Sequence, residues 1–222
     1  MKYLEIGLFA EGATDHRFLS ILLSRLCEDI CSRLGDGQIE IGPLRSLRTP
    51  VKARAARRDE QVLEAVKEAS ILLDVLFIHA DGNGDPAAVR KLQIDPGRSR
   101  IQAEIAREVG EVIGVVPVRE SEAWPLADGN AIRAAFGSSH DDVTLGIPAT
   151  PGDVEGILDP KKALEQAWKR AWPKQRRRRT AQDFLEALGE RVSFDRLRLV
   201  PAFRVLEDDL REALRRLRYL RT

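Results

Sequence analysis

Apolar residues recur along this chain in two rhythms. Largely apolar runs over residues 3–10, 71–78 and 112–118 have the length and texture of strands covered on both faces, and 38–41 is a short possible strand. Between them the spacing lengthens to that of helices. Phe18, Leu19, Leu22, Leu23, Leu26 and Ile30 form one stripe within a helix predicted over 16–34, suited to packing on a sheet. Further helices are predicted over 59–69 and 98–109, and another starts near Ser121. Thr14 or Asp15 is suited to cap the first helix, and Ser121 the last, with Glu122 in its positive first turn. Alternation in this order predicts an α/β fold, a mostly parallel sheet flanked by helices.

Two segments depart from the rhythm. Residues 81–97 carry Gly82, Gly84, Pro86, Pro96 and Gly97 and read as a loop, while 137–160 is rich in Gly, Pro, Ser, Asp and Thr and reads as a connector. Beyond it, helices are predicted over 161–172, 181–188 and 203–220. The expected organisation is therefore an α/β domain over 1–136, a connector over 137–160 and a basic helical C-terminal appendage over 161–222. No internal repeat is visible.

Charge sharpens that division. Residues 161–222 hold 18 Lys and Arg against 9 Asp and Glu, a net of +9, leaving 18 against 26 and a net of −8 in residues 1–160. The densest cluster runs Lys174, Gln175, Arg176, Arg177, Arg178, Arg179. It suits nucleic-acid phosphates, or equally a solvated helix end paired with the acidic body. A hydrophobic share of 43% is enough for a core. Cys27 and Cys31, one helical turn apart, have no second Cys or His pair to complete a zinc site and read as packing thiols. The chain shows no basic-then-apolar leader and no apolar run near the roughly 20 residues of a membrane span. A cytoplasmic, membrane-free protein is expected.

The chemistry sits where strands end. The first strand runs into Glu11-Gly12-Ala13-Thr14-Asp15, the second long one into His79-Ala80-Asp81-Gly82-Asn83-Gly84-Asp85, and the third into Arg119-Glu120-Ser121-Glu122. Open α/β sheets build their sites at these carboxyl ends. Acids brought together there repel one another unless a cation compensates, and oxygen donors suit Mg²⁺. That pattern predicts a metal site and phosphoryl-transfer chemistry. His79, beside Asp81, reads either as part of the site or as a strand-end residue. Neither glycine loop is a phosphate cradle: the first lacks the Lys-Ser/Thr of a P-loop, the second the third Gly and following helix of a dinucleotide fingerprint. No nucleophile elbow or Cys-His pair is present.

Glu11-Gly12-Ala13-Thr14-Asp15, followed by Phe18-Leu19, resembles the first motif of the TOPRIM fold, the metal-binding domain of topoisomerases, bacterial primases and overcoming-lysogenization-defect (OLD) nucleases. The segment from Glu120 to Asp128, with Glu122-Ala123-Trp124-Pro125, is similar to a signature of small bacterial TOPRIM-like proteins encoded beside ABC-type or AAA-type ATPases in suspected phage-defence cassettes. The resemblance spans residues 3–128. It implies a Mg²⁺-dependent (or Mn²⁺-dependent) nuclease acting on DNA or RNA, with an ATPase as partner. By the same resemblance Glu11 is metal ligand or general base, Asp81 the principal ligand, and Asp85, Glu120 and Glu122 supporting ligands, while Asp15 reads either as orienting the helix start or as supporting the ligands from behind. Arg54, Arg57, Arg58 and Arg176 to Arg179 are the candidates to hold phosphates. One departure stands out: where the family has Asp-x-Asp, this chain reads Asp81-Gly82-Asn83. An amide coordinates through its carbonyl without charge, so a catalytically silent nucleic-acid-binding or ATPase-regulating module is the alternative. A phosphohydrolase of small esters is a third.

Overall fold

A computed structural model, describing residues 1–10, 12–173 and 179–221, has the expected α/β class. The first apolar run folds as two strands, β1 (Lys2–Leu4) and β2 (Ile6–Phe9). A long-range contact makes the break: the Asp74 carboxylate accepts the Glu5 backbone N–H at 2.8 Å, taking a donor that a continuous ladder would use. Helix α1 (Ala13–Leu34), β3 (Ile39–Ile41) and β4 (Arg45–Leu47) follow, then α2 (Arg58–Ala69) and β5 (Leu73–His79). The segment read as a loop holds α3 (Pro86–Val89), a π-helical turn and α4 (Asp95–Glu104), before β6 (Val109–Val115).

All pairings between these strands are parallel. β1 pairs with β3, and a four-stranded sheet runs in the order β4-β2-β5-β6. Alternate side chains of each strand feed two cores. Ile6, Leu8, Val75, Phe77, Ile113 and Val115 point to the face covered by α1. Phe9, Leu76, Ile78 and Val112 point to the face covered by α2 and α4, through Val62, Leu63, Val66 and Ile101. The α1 stripe is buried as its spacing predicts, each such Leu, Ile or Phe stabilising by about 1.5–3 kcal/mol.

Residues 121–123 and 125–127 are 3₁₀ turns, and α5 (Gly129–Phe136) starts only at its cap, Asp128. That carboxylate accepts the N–H groups of Asn130 and Ala131 and, from its other oxygen, that of Ser193 at 2.9 Å. Within 137–160 lie α6 (Asp142–Leu145) and a 3₁₀ stretch, Pro151–Gly156. Then come α7 (Pro160–Ala171), α8 (Leu185–Arg191), α9 (Phe194–Leu197) and α10 (Pro201–Arg216). Pro86, Pro96, Pro125, Pro151, Pro160 and Pro201 all occupy first-turn positions. There the missing N–H costs no helical bond.

These later helices share the core on the α1 face. Trp124, 1% exposed, meets Phe203 of α10 edge-on at 5.4 Å. Arg216 of α10 holds Glu111 of β6 at 2.7 Å. Between α1 and α10 lies a compensated ion cluster. Glu207, 3% exposed, accepts from Arg198 at 3.0 Å and Arg211 at 2.7 Å, with Arg33 at 3.4 Å. Asp29 bridges Arg33 and Arg198. Cys27 and Cys31 are buried in the core as free thiols, and burial pushes Cys31 up to about 11. Among the described residues, no helix is long and apolar enough to cross a membrane.

Candidate metal centre

Sheet order and register decide which side chains meet. β4 flanks β2 on one side and β5 on the other, and α1 covers one face while α2 covers the opposite one. The crossovers therefore diverge between β2 and β5, opening a crevice at the carboxyl ends of these two strands. Phe9 pairs with Ile78 and His79 with Val115, so Ala10 and His79 stand side by side at its mouth.

Three side chains converge there. Ligand atoms of Asp15, His79 and Asp81 all lie within 4.8 Å of one another, the one such group of three His, Cys, Asp or Glu among the described residues able to hold a metal ion. His79 ends β5 and is 3% exposed. Its Nδ1 lies 3.8 Å from Asp15 Oδ2 and its Nε2 3.5 Å from Asp81 Oδ1. Asp15 comes from the first turn of α1, whose N-cap position is Gly12, with no side chain capping. A Cβ on Gly12 would stand 2.4 Å from Asp15 Oδ2. The glycine lets the carboxylate fold back toward the sheet.

Asp81 opens the turn after β5, and its side chain is 46% exposed. Backbone bonds from Gly82 N–H to the Arg119 carbonyl (2.9 Å) and from Gly84 N–H to that of Val118 (2.7 Å) fix this turn against the strand-end segment after β6. A Cβ on Gly82 would sit 2.0 Å from the Pro117 carbonyl oxygen, so only glycine permits the approach. Asn83 has φ +50°, a left-handed conformation that Asn adopts more readily than most residues. Its amide donates to the Asp81 carbonyl at 3.3 Å. The resulting pocket, about 250 Å³, is lined by Asp15, Arg58, His79, Ala80, Asp81, Asn83 and Gln93. Arg58 is held on its wall by donating to the His79 carbonyl, with its guanidinium 5.6 Å over the Phe9 ring.

A second carboxylate reaches Asp15 indirectly. Ser121 Oγ lies 3.1 Å from Asp15 Oδ1 and 3.4 Å from Glu122 Oε2, and a hydroxyl has one proton to donate. Burial pushes the Glu122 carboxyl above the usual carboxylate range. Its own backbone N–H opposes this, and Asp15 and Glu120 add to the rise. His16, also buried, donates from Nε2 to the Ala10 carbonyl at 3.1 Å. Burial holds its pKa low, against that hydrogen bond, and Arg48 lowers it further.

The other residues singled out from sequence are placed as follows. Glu11, Arg176, Arg177 and Arg178 lie outside the described residues. Asp85 caps α3, accepting from Ala88 N–H at 3.0 Å. Glu120 accepts the Lys161 N–H at 3.1 Å, at the start of α7. Glu122 is buried beside Asp15, as described. Arg54 is exposed, and Arg57, 82% exposed, pairs with Asp59 at 3.3 Å. Arg179 stacks over Phe184 at 5.9 Å. Of these residues the fold brings Asp81 and Arg58 to one pocket and seats Glu122 behind it. Asp15 joins them as a lining residue, and His79, read from sequence either as part of the site or as a strand-end residue, is both. Their signals were a carboxylate in the first turn of a helix that leaves a strand end, and a polar ring two residues before an acid.

The donor set suits a divalent ion. Two carboxylates supply charge and hard oxygen, one imidazole supplies nitrogen, and the pocket is open enough for water to complete a shell. No protein-family model, curated protein or solved structure matches this chain, and the functional reading rests on this geometry and on the sequence motifs.

Proposed function

We propose that this chain is a TOPRIM-like, divalent-metal-dependent nuclease that hydrolyses phosphodiester bonds in DNA or RNA, with Mg²⁺ or Mn²⁺ as its ion. The observation that carries the reading is the convergence of Asp15, His79 and Asp81 within 4.8 Å at the sheet's switch point. A dication held within this group would supply positive charge at a phosphoryl oxygen and a water of lowered pKa. Arg58, fixed on the pocket wall, offers a planar cation to the remaining phosphate oxygens. Ser121 steadies the Asp15 carboxylate from behind. Phosphate contacts of this kind position a strand without reading its bases.

One observation favours a second reading. Asn83 lines the pocket where the resemblance expects an acid, and a neutral amide there suits a silent nucleic-acid-binding or ATPase-regulating module. The partner ATPase and the defence role implied by the sequence belong to the proposal in either case.

Incubating the purified protein with Mg²⁺ or Mn²⁺ and plasmid, single-stranded DNA or RNA separates the readings. The nuclease reading expects cutting that disappears in Glu11→Ala and Asp81→Ala. Binding without cutting under both ions would establish the silent module instead. Release of phosphate from nucleotides with every polymer intact would make the protein a small-ester phosphohydrolase.

A further inference from the structure

We propose that His79 makes this centre selective for a first-row transition-metal dication, for which Mn²⁺ is the probe, over Mg²⁺. The inference rests on the pocket being a metal site and goes on to say which ion it takes. Its starting point is where the ring lies. His79 is 3% exposed, closed into the end of β5, and its two nitrogens face two different carboxylates, Asp15 at 3.8 Å and Asp81 at 3.5 Å.

Both separations exceed the roughly 2.7–3.2 Å of an N–H···O hydrogen bond. The shorter, from Nε2 to Asp81 Oδ1 at 3.5 Å, is close to the about 3.0–3.4 Å that separates two ligands sharing an ion at about 2.0–2.2 Å each. Only one ring nitrogen can point at a given ion. The other is left to a carboxylate, the arrangement that fixes the ring of a metal-bound histidine and raises its donor strength. The pocket thus contains both partners that such a ring needs, the ligating acid and the orienting acid, on opposite sides of one imidazole.

Mg²⁺ gains little from this geometry. It binds through one or two carboxylates, keeps most of its water, and has slight appetite for nitrogen. For Mg²⁺ the imidazole is a bystander that occupies room a water or carboxylate would use. A transition-metal ion counts it as a ligand. The burial of His79 matters as well, because a ring packed at the end of a strand has its orientation set before the ion arrives. Asp81, on an exposed turn, is the group left to adjust.

The test uses the full chain. Isothermal titration with Mn²⁺ and with Mg²⁺ is expected to give at least about tenfold tighter binding of Mn²⁺, and the ratio should fall to about twofold in His79→Gln. Bound Mn²⁺ should show nitrogen-14 coupling in pulsed electron paramagnetic resonance, lost in that variant. Should His79→Gln fail to fold, Asp81→Asn serves in its place: it should weaken both ions together while the nitrogen signal of any bound Mn²⁺ persists. Equal affinity for the two ions, or bound Mn²⁺ without nitrogen coupling, would overturn the selectivity and leave a Mg²⁺-dependent nuclease standing. Failure of both ions to bind would overturn the selectivity and the metal-dependent reading together.

Discussion

Two groups of acids in this molecule have opposite surroundings. At the α1–α10 contact, buried Glu207 and half-buried Asp29 are met by Arg33, Arg198 and Arg211, so each carboxylate has its cation built into the chain. At the carboxyl end of the sheet, Asp15 and Asp81 face each other across one imidazole, with Glu122 close behind through a single hydroxyl. The first arrangement is complete as folded and joins two helices. The second concentrates negative charge about an open pocket. An acid cluster serves the fold when arginines interlock with it inside the core, and can take a ligand when its carboxylates line an open pocket.

The sharpest way to break the contrast is to remove one acid from each side. Asp81→Ala should lower metal-dependent cleavage by about a hundredfold to a thousandfold, a loss of about 3–4 kcal/mol, measured with plasmid substrate under saturating ion. Its melting temperature without metal should move by no more than the effect of an ordinary surface change, about 0.5 kcal/mol. Glu207→Ala should do the reverse. Leaving three guanidinium groups around a lost carboxylate should destabilise by about 3 kcal/mol, lowering the melting temperature by about 6–12 °C in a chain of this size. Cleavage at a temperature where the variant is folded should stay within about twofold, and a loss comparable to that of Asp81→Ala would erase the distinction between the clusters.

Ion binding sharpens the comparison from the other direction. At a hundred times its dissociation constant, Mn²⁺ should stabilise the wild-type protein by about 2.7 kcal/mol. Thermal melts with and without ion should show the same gain in Glu207→Ala and none in Asp81→Ala. The smallest effect concerns Asn83. An aspartate there adds charge to the acidic pocket and tolerates the left-handed backbone less well. Asn83→Asp should therefore cost about 0.5 kcal/mol without metal and tighten Mn²⁺ binding in titrations. An unchanged affinity would show that the Asn83 side chain stays out of the ion's shell.

Much of the scaffold was legible because burial on both faces leaves a plain trace. The runs that became β2, β5 and β6, and the stripe of α1, announced themselves through apolar content and spacing. β4 did not. Three residues, Arg45-Ser46-Leu47, two of them exposed, carry no alternation that could be told from a basic loop, and they are a strand only because β2 offers a free edge. The interruption at Glu5 was equally hidden, since it depends on Asp74, far along the chain. Segments read as loop and connector contain helical turns because their prolines stand at starts, where proline initiates as readily as elsewhere it breaks. The site was half visible for a related reason. Asp81 follows the most apolar strand and drew attention, whereas Asp15 looked like a capping residue until Gly12 took that position. His79 stood open to two readings, and only the fold showed a second carboxylate, Asp15, on its other side.

The edge-on meeting of Trp124 with Phe203 has a practical consequence. Trp124 directly follows the turn that carries Ser121 and Glu122, and the last long helix covers its indole, so the sheet has no transplantable front half. Fusions or excisions that discard α10 would unroof Trp124 and, with it, the turn that presents Ser121 and Glu122. Heated or pulled apart, the two regions should come undone in a single step.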